Sequence, residues 1–406
     1  MIKFPDNWDK LAFGDFADIS PKVNLKKGQE YSFIPMEDLD AGYKFAKAGH
    51  KKIYDGGGAK FCNGDTLFAR ITPCLENGKI AQATGIEENT GFGSTEFIVF
   101  RGIKEKSDSN FVYYLSKTDW FKQNAVNSMV GASGRQRADA KFISNTILTL
   151  PPLPIQQKIT AILSAYDDLI ENNLKQIKLL EEMAQITYEE WFVRFKFPNH
   201  ENTPVDEVTG LPLGWERKKL GDLTSYINRG ISPSYVESDG FSVINQKCIR
   251  NHFVNFEESR LTSNAKSISE DKQLKKFDIL INSTGTGTLG RIAQLFESIN
   301  HATVDTHVTI VRAGDVSSLL LGRALEHAEG FIESLGKGAT NQQELSRTDL
   351  AEIVELVVPS QDLQNKYDEL AMPIYDTITF YRKQNQLLKE ARDILLPRLM
   401  TGKIAV

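Results

Sequence analysis

The stretch IQQKITAILSAYDDLIENNLKQIKLLEEMAQIT, residues 155–187, decides the fold of this 406-residue chain. Its seam positions recur at alternating spacings of four and three residues, the heptad pattern of a helix that packs along another helix. We predict that the pairing face consists of Ile155, Ile159, Ile162, Tyr166, Leu169, Asn173, Gln176, Leu180, Met183 and Thr187.

A second stretch, LQNKYDELAMPIYDTITFYRKQNQLLKEARDIL at residues 363–395, carries a comparable pattern 208 residues later. Pro373 should kink or break the early part of this helix, and Pro397 should close it. The first helix carries mostly acidic charges, and the second mostly basic charges from residue 382 onward. Opposite charges favour pairing of the two helices, although charged faces that only meet solvent explain them equally well.

The direction of pairing is predicted from the linker. About 40 helical residues give a rod of roughly 60 Å. The linker at residues 198–212 has about 15 residues, at most about 3.5 Å each, which is too short to return comfortably along that rod. We therefore predict antiparallel helices, with the globular blocks at opposite ends.

The duplication includes the globular blocks that precede the helices. Pro5, Trp8 and the motif FGDF at residues 13–16 reappear as Pro212, Trp215 and LGDL at 220–223, which is 207 residues later. Strand-like and helix-like runs alternate within each block, so the predicted class is α+β. We predict a first globular block at 1–150, a long helix at 151–198, a linker at 199–213, a second globular block at 214–360 and a second long helix at 361–406.

Composition excludes several classes of protein. The chain holds 48 Lys and Arg against 53 Asp and Glu, with three scattered cysteines, which suggests neither a disulfide framework nor a zinc site. No apolar run approaches the roughly 20 residues of a membrane span, so we expect a cytoplasmic protein. Residues 201–360 hold 22 acidic against 16 basic residues, so any contact with nucleic acid must come from a few placed side chains.

The sequence contains none of the common catalytic motifs. It has no phosphate-binding P-loop, no His-Glu-x-x-His zinc motif and no Gly-x-Ser-x-Gly nucleophile elbow. The spacing of the glycines at 285, 287 and 290 matches that of a dinucleotide-binding loop. The match is weak evidence for such a loop, because no amphipathic helix follows these glycines. We therefore expect no catalytic residue, no metal site and no bound cofactor.

Two glycine-containing loops occupy equivalent places in the repeats. They are GASGRQR at residues 131–137 and GATNQQ at residues 338–343. Glycines allow a close approach to a partner, and Arg, Asn and Gln form bidentate pairs with guanine and adenine edges. An ordinary polar turn remains an equal alternative. The candidate base-reading residues are Ser133, Arg135, Gln136, Arg137, Thr340, Asn341, Gln342 and Gln343.

A second pair of loops follows strand-like runs in the two blocks. Hydroxyls, backbone amides and one terminal cation suit phosphate contacts, which set register without reading sequence. Solvated turns explain these loops nearly as well. The candidate phosphate-contacting residues are Arg70, Thr72, Lys79, Thr284, Thr286 and Arg291.

Several phrases of the sequence resemble the DNA-specificity subunits of Type I restriction-modification systems. They are LPPLPIQQKI at 150–159, WFVRF at 191–195, PVDEVTGLP at 204–212, GDTL at 64–67 and FDIL at 277–280. The resemblance covers nearly the whole chain. It implies two target-recognition domains held apart by an antiparallel coiled coil that acts as a ruler between the two parts of an asymmetric DNA target.

The same resemblance implies the partners. The subunit would bind double-stranded DNA and two methyltransferase subunits, and through these the motor-nuclease restriction subunits. S-adenosylmethionine, ATP and magnesium would belong to the partners, and the specificity subunit itself would have no catalytic activity. The alternative is a duplicated coiled-coil adaptor with protein-binding heads, which the acidic second block favours.

Overall fold

The computed structural model describes residues 4–131, 135–263, 268–338 and 343–406. The chain divides into two compact units, one formed by Met1–Asn173 with Lys383–Val406 and the other by Leu174–Arg382. Each unit combines one globular block with parts of both long helices. The two units are described in turn.

The block of the first unit is built on a five-stranded sheet of order β2-β10-β7-β8-β4 and a four-stranded sheet of order β5-β3-β9-β6, with β1 paired to β11. Its strands are β1 Asp9–Ala12, β2 Ala17–Ile19, β3 Glu30–Ile34, β4 Phe45–Lys47, β5 His50–Ile53, β6 Ala59–Phe61, β7 Thr66–Ala69, β8 Ile80–Thr84, β9 Gly91–Gly93, β10 Phe97–Gly102 and β11 Ile147–Leu150. Its helices are α1 Phe13–Phe16, α2 Ser109–Lys117, α3 Asp119–Asn127 and α4 Ala140–Ser144.

The central strands of this block are buried on both faces. In β7, Phe68 packs into one apolar core and its neighbour Leu67 into another, because successive side chains of a strand point to opposite sides. In β10, Phe100 and Val99 divide between the same two cores. Burial on both faces explains why these strands are nearly continuous apolar runs in the sequence.

The block of the second unit follows the same plan. Its sheets have the orders β13-β22-β19-β20 and β14-β18-β15-β21, and β12 pairs with β23 and β16 with β17. Its strands are β12 Glu216–Lys219, β13 Thr224–Arg229, β14 Tyr235–Val236, β15 Gly240–Ile244, β16 Ile249–Arg250, β17 Phe253–Val254, β18 Arg260–Ser263, β19 Ile279–Asn282, β20 Ile292–Gln294, β21 Ala302–Val304, β22 Val308–Ala313 and β23 Glu355–Val358. Its helices are α6 Ser318–His327, α7 Glu329–Ser334 and α8 Arg347–Ile353.

Equivalent polar contacts in the two blocks match the repeat that the sequence predicts. Arg101 binds Asp65 through two hydrogen bonds of 2.6 Å, and Arg312 binds Asp278 through two of 2.7 Å. At the start of each long helix a buried glutamine donates to a proline carbonyl, Gln156 to Pro151 and Gln364 to Pro359, at 2.9 Å in each case. The α+β class with two long paired helices is confirmed.

The long helices are α5, Leu153–Tyr188, which continues into a π-helical turn at Glu189–Val193, and α9, Gln361–Met400. In the first unit Asp167 pairs with Arg392 and Asn173 with Asn385, so rising numbers on α5 meet falling numbers on α9. In the second unit Arg382 binds Glu181, while Phe192 packs on Tyr367. The helices are therefore antiparallel within each unit, as predicted.

The predicted pairing face of α5 is wrong over much of its length. Ile162, Leu169 and Met183 are exposed, and the buried face is displaced by about one residue. The prediction favoured the more apolar stripe, whereas the buried stripe contains the charged Asp167, whose carboxylate is hydrogen-bonded. Asn173 is buried as predicted and donates to Asn385. The buried positions are Gln156, Ile159, Thr160, Leu163, Asp167, Ile170, Asn173, Ile177, Ala184 and Tyr188.

A predicted break of α9 at Pro373 and its predicted end at Pro397 are also wrong. The helix is continuous through Pro373 and extends past Pro397 to Met400. Both prolines lie on the exposed side, as do Glu369 and Asp393, whose carbonyls lose their helical donors and can bind water instead. Burial of the opposite side, including Ile374, supports the helix across the missing hydrogen bond.

The ammonium group of Lys117 is enclosed at the end of α2. It donates to the carbonyl of Ala41 at 2.7 Å, and burial lowers the pKa of Lys117 from 10.5 to about 8. Between pH 8 and pH 10.5 the unfolded chain binds more protons than the folded chain, so the free energy of unfolding should rise with pH. Below about pH 8 the lysine is protonated in both states, so this dependence should disappear. We expect Lys117→Met to reduce that rise by up to about 1 kcal/mol per pH unit in urea unfolding.

The exposed Lys104 provides the control for this pH dependence. Lys104→Met should keep the wild-type slope of unfolding free energy between pH 8 and pH 10, because its ammonium group is in solvent. Equal slopes for the Lys117 and Lys104 variants would contradict the assignment.

Candidate nucleic-acid interface

The two predicted loops of the first block lie side by side. The backbones of Val130 and Arg137 are joined by two hydrogen bonds of 3.1 Å, one in each direction. We call the described residues at this closure, 130–131 and 135–137, the first hairpin. The amide of Thr72 donates to the carbonyl of Gln136 at 3.0 Å, and the amide of Gln136 donates to the Thr72 hydroxyl at 3.1 Å. The loop after β7 therefore holds the base of the hairpin and forms one surface with it.

The side chains on this surface differ in how freely they can reach a ligand. Arg135 is exposed and makes no side-chain hydrogen bond or ion pair with the described residues. Arg137 is held by Glu96 through its Nε at 2.9 Å and its Nη2 at 2.7 Å, and this ion pair lowers the pKa of Glu96. Arg70 is half-buried, and its Nε has no hydrogen-bond partner in the described part of the chain.

One predicted residue of the first block does not add to this surface, and another lies outside the described residues. Lys79 donates from its Nζ to the carbonyl of Met36 at 3.0 Å, so its ammonium group is occupied within the block. Ser133 lies outside the described residues. Arg135, Gln136 and the Thr72 backbone are the groups that the structure brings together.

The second block has an equivalent closure with other residues. The backbones of Lys337 and Glu344 are joined by hydrogen bonds of 3.0 and 2.9 Å, and we call the described residues 337–338 and 343–344 the second hairpin. The amide of Leu345 donates to the carbonyl of Ser283 at 2.8 Å, just as Ala138 donates to Arg70 in the first block. Gln343 is exposed next to this closure, whereas Thr340, Asn341 and Gln342 lie outside the described residues.

The loop after β19 is shaped by glycine. Gly290 has a φ of +79°, and a Cβ there would lie 2.8 Å from the Cα of Glu333, so a side chain would clash with α7. Strand β20 follows this loop, whereas a dinucleotide-binding loop leads into a helix.

The polar side chains of this loop are partly engaged. The Thr284 hydroxyl contacts Nδ1 of His307 at 2.7 Å, and Arg291 donates to the carbonyl of Gly287 at 2.8 Å. Arg291 also lines a cleft with Arg250 and His252. Thr286 is exposed.

Sequence reasoning missed several charged residues around the hairpins. Glu96, which holds Arg137, immediately precedes β10, and Arg229 ends β13 beside the second hairpin. Lys337 and Arg347 stand where the first block has Val130 and Ala140, 207 residues earlier. A residue-by-residue comparison of the repeats at that offset would have found the last two.

Two kinds of feature are absent from the residues that the structure describes. Among the residues that the structure describes, no three His, Cys, Asp or Glu side chains are grouped to hold a metal ion. None of the helices in the same ranges combines the length and the apolarity needed to cross a membrane.

Comparison with known proteins shows what part of this chain resembles. Residues 5–182 match the family model described as the Type I restriction modification DNA specificity domain. This part of the chain is therefore similar to Type I DNA specificity domains. This match covers the first block and most of α5, and the predicted resemblance to Type I specificity subunits is confirmed.

Relatives extend the similarity beyond that domain. The Type I restriction enzyme MjaIX specificity subunit of Methanocaldococcus jannaschii is 27% identical, and the alignment covers 100% of this chain and 95% of that protein. The Escherichia coli EcoAI specificity subunit is 29% identical over 45% of this chain and 33% of its own length. The similarity to the MjaIX subunit therefore also includes the second block, which lies outside the residues that match the family model.

A solved structure supports the fold. The Type-I restriction-modification system S subunit from M. genitalium superposes with a TM-score of 0.58 at 17% identity, covering 98% of both chains. Similarity at this level of identity concerns the fold, and it spans both blocks and both long helices.

Proposed function

We propose that the chain is the non-catalytic subunit that gives a Type I restriction-modification complex its DNA sequence specificity in the cytoplasm. Blocks 1–150 and 214–360 are the two target-recognition domains, which together recognise a bipartite, asymmetric site in double-stranded DNA. The long helices dock two methyltransferase subunits and, through them, the restriction subunits. Catalysis and its cofactors belong to those partners.

One observation carries the proposal. Both blocks hold a hairpin with the same backbone closure and the same link to the preceding strand-end loop, yet the hairpins carry different residues. The first has Arg135 and Gln136 where the second has Gln342 and Gln343. Arg prefers guanine and Gln prefers adenine in the major groove, so a shared scaffold with unequal side chains suits an asymmetric target.

Replacement of Arg135 tests the base-reading role of the first hairpin. Its side chain is exposed, so Arg135→Ala should leave folding intact and cost about 1–3 kcal/mol of binding at one base pair of the first half-site. In cells that carry the variant with its methyltransferase, mapping of modified bases should show relaxed preference at that base pair.

Lys104→Ala is the matched control for the loss of charge. Lys104 is exposed beyond the far end of β10 from Glu96 and the hairpin, so its loss should leave the modified sites unchanged. Identical modification maps for wild type and the Arg135 variant would contradict a base-reading role for Arg135.

DNA binding by the assembled complex separates the proposal from the adaptor alternative. The chain is co-expressed with its methyltransferase subunits, and the purified complex is titrated with duplexes that contain or lack the mapped modification site. We expect tighter binding to the site by a factor of at least about 10³. An assembled complex without preference for the site would favour the adaptor with protein-binding heads.

The exposed side of the long helices supports the docking of methyltransferase subunits. In the second unit, Met183 and Ile186 are exposed on α5 and Phe380 on α9. In the first unit, Leu169 and Ile394 are exposed on the same two helices. Apolar residues at heptad spacing outside the intrachain seam are typical of a helix-binding surface.

A further inference from the structure

A cationic cleft lies beside the hairpin of the second block. It is lined by Arg229, Lys272, Lys337 and Arg347, together with Glu344 and Ser346. Four positive side chains therefore converge in the second block, although residues 201–360 include more acidic than basic side chains. None of these four residues is among the candidate base-reading or phosphate-contacting residues named above.

The cations are held in place within the block, but their charges are only partly offset. Lys272 donates to the carbonyl of Gly230 at 2.8 Å, and Arg347 donates to the Asn228 side chain, and neither of these acceptors carries a charge. Lys337 pairs with Asp349 at 2.7 Å while its side chain is 73% exposed. Most of the Lys337 side chain therefore remains open to a ligand in solvent.

Arg229 is shared between the cleft and the hairpin. It pairs with the exposed carboxylate of Glu344 and donates from Nη2 to the carbonyl of Leu345 at 2.8 Å. Its Nε is buried without a hydrogen-bond partner in the described part of the chain. Arg229 therefore connects the cleft to Glu344, which closes the second hairpin, and to the following residue.

The comparison of the repeats shows that two of the four cations are specific to the second block. Arg135 and Arg137 of the first block correspond to Gln342 and Glu344 of the second, so two cations are lost. Val130 and Ala140 correspond to Lys337 and Arg347, so two cations are gained at positions that line the cleft. Positive charge is therefore absent from two candidate base-reading positions of the second block and present in its cleft.

We propose that this cleft binds the DNA phosphate backbone of the half-site that the second block recognises. The proposal rests on the proposed function and adds where the second block obtains its electrostatic affinity. Exposed ammonium and guanidinium groups next to a base-reading loop suit phosphate contacts, which position the reader without selecting sequence. The two half-sites would accordingly be held by differently placed cations.

The salt dependence of DNA binding tests the cleft. The complex with its methyltransferase subunits is titrated with cognate and non-cognate duplexes over a range of KCl concentrations. Loss of two phosphate contacts in the Lys337→Gln, Arg347→Gln double variant should reduce the slope of log K against log[KCl] by about 2. Affinity should fall by the same factor for cognate and non-cognate duplexes, and the modified sequence should not change.

The control is the Lys275→Gln, Lys276→Gln double variant. These lysines are also exposed in the second block but precede β19, at the opposite end of that strand from Ser283. Because these lysines do not line the cleft, their loss should leave the slope of log K against log[KCl] unchanged. The single variant Lys337→Gln, at an exposed position, should reduce the slope by about 1 and serves if the double variant folds poorly.

The outcomes separate this proposal from the proposed function. A wild-type complex that does not bind DNA would refute the proposed function. DNA binding with an unchanged slope in the cleft variants would overturn the cleft assignment alone. Loss of methyltransferase from the cleft variants with an unchanged slope for Lys337→Gln would likewise overturn it and indicate an acidic protein partner.

Discussion

Asp167→Asn should lower the free energy of unfolding by about 3–5 kcal/mol, the usual cost of removing one partner from a buried ion pair. The Asp167 side chain is only 1% exposed, and its Oδ1 accepts from Nη1 of Arg392 at 2.5 Å. Its Oδ2 accepts from the Tyr114 hydroxyl at 2.5 Å. Asparagine keeps the shape but removes the charge, which leaves the buried guanidinium with the more exposed Asp393 as its remaining ion-pair partner.

The effect should extend to a second buried cation. The ammonium of Lys44 donates to Ser164 at 3.0 Å, and burial lowers the pKa of Lys44 against an opposing effect of Asp167. Without the carboxylate, this lysine would lose the largest factor that favours its charged form. The loss should be local to the first unit, which holds all of these residues.

Urea unfolding together with hydrogen exchange measured on peptides of α2 and α5 checks this expectation. Asp168→Asn is the matched control, because Asp168 is the exposed neighbour on the same helix and surface changes usually stay within about 0.5 kcal/mol. Equal urea midpoints and equal protection of α2 in the two variants would show that the buried pair contributes no stability.

The sequence predicted the large elements because they depend on patterns that survive duplication. The long helices, the α+β blocks and the hairpin positions all follow from repeats 207 or 208 residues apart. It misjudged the face of α5 because the charged Asp167 is buried with partners on α2 and α9. The spacing of apolar residues does not reveal that a polar side chain is buried when its hydrogen-bond partner lies more than 200 residues away in the sequence.

The candidate site was predicted less completely for a related reason. Residue type suggested Arg137 and Lys79 as ligand-binding cations, yet Glu96 and the Met36 carbonyl hold them. Such partners are brought together by sheet topology, which the sequence did not specify. Ion pairing within the block therefore decides which cations remain available, and Arg135 is the one that remains so in the first hairpin.

The exposed apolar stripe on α5 yields a second large effect. We expect the double variant Met183→Glu, Ile186→Glu to reduce co-purification of the methyltransferase subunit at least about tenfold, since buried apolar anchors at an interface typically contribute more than 1 kcal/mol each. The two side chains are 46% and 60% exposed in the isolated chain, so folding should be preserved.

Gln185→Glu is the control that separates docking from charge. Gln185 is exposed on the same turn of α5 but lies between the two apolar positions, where an added carboxylate should leave assembly nearly unchanged. A tagged chain co-expressed with the methyltransferase gives the subunit ratio, and circular dichroism verifies the helix content. Apolar residues at heptad spacing normally pack against a partner helix in a stable assembly. If the double variant retained the methyltransferase fully, the docking surface for the methyltransferase would therefore lie elsewhere on the chain.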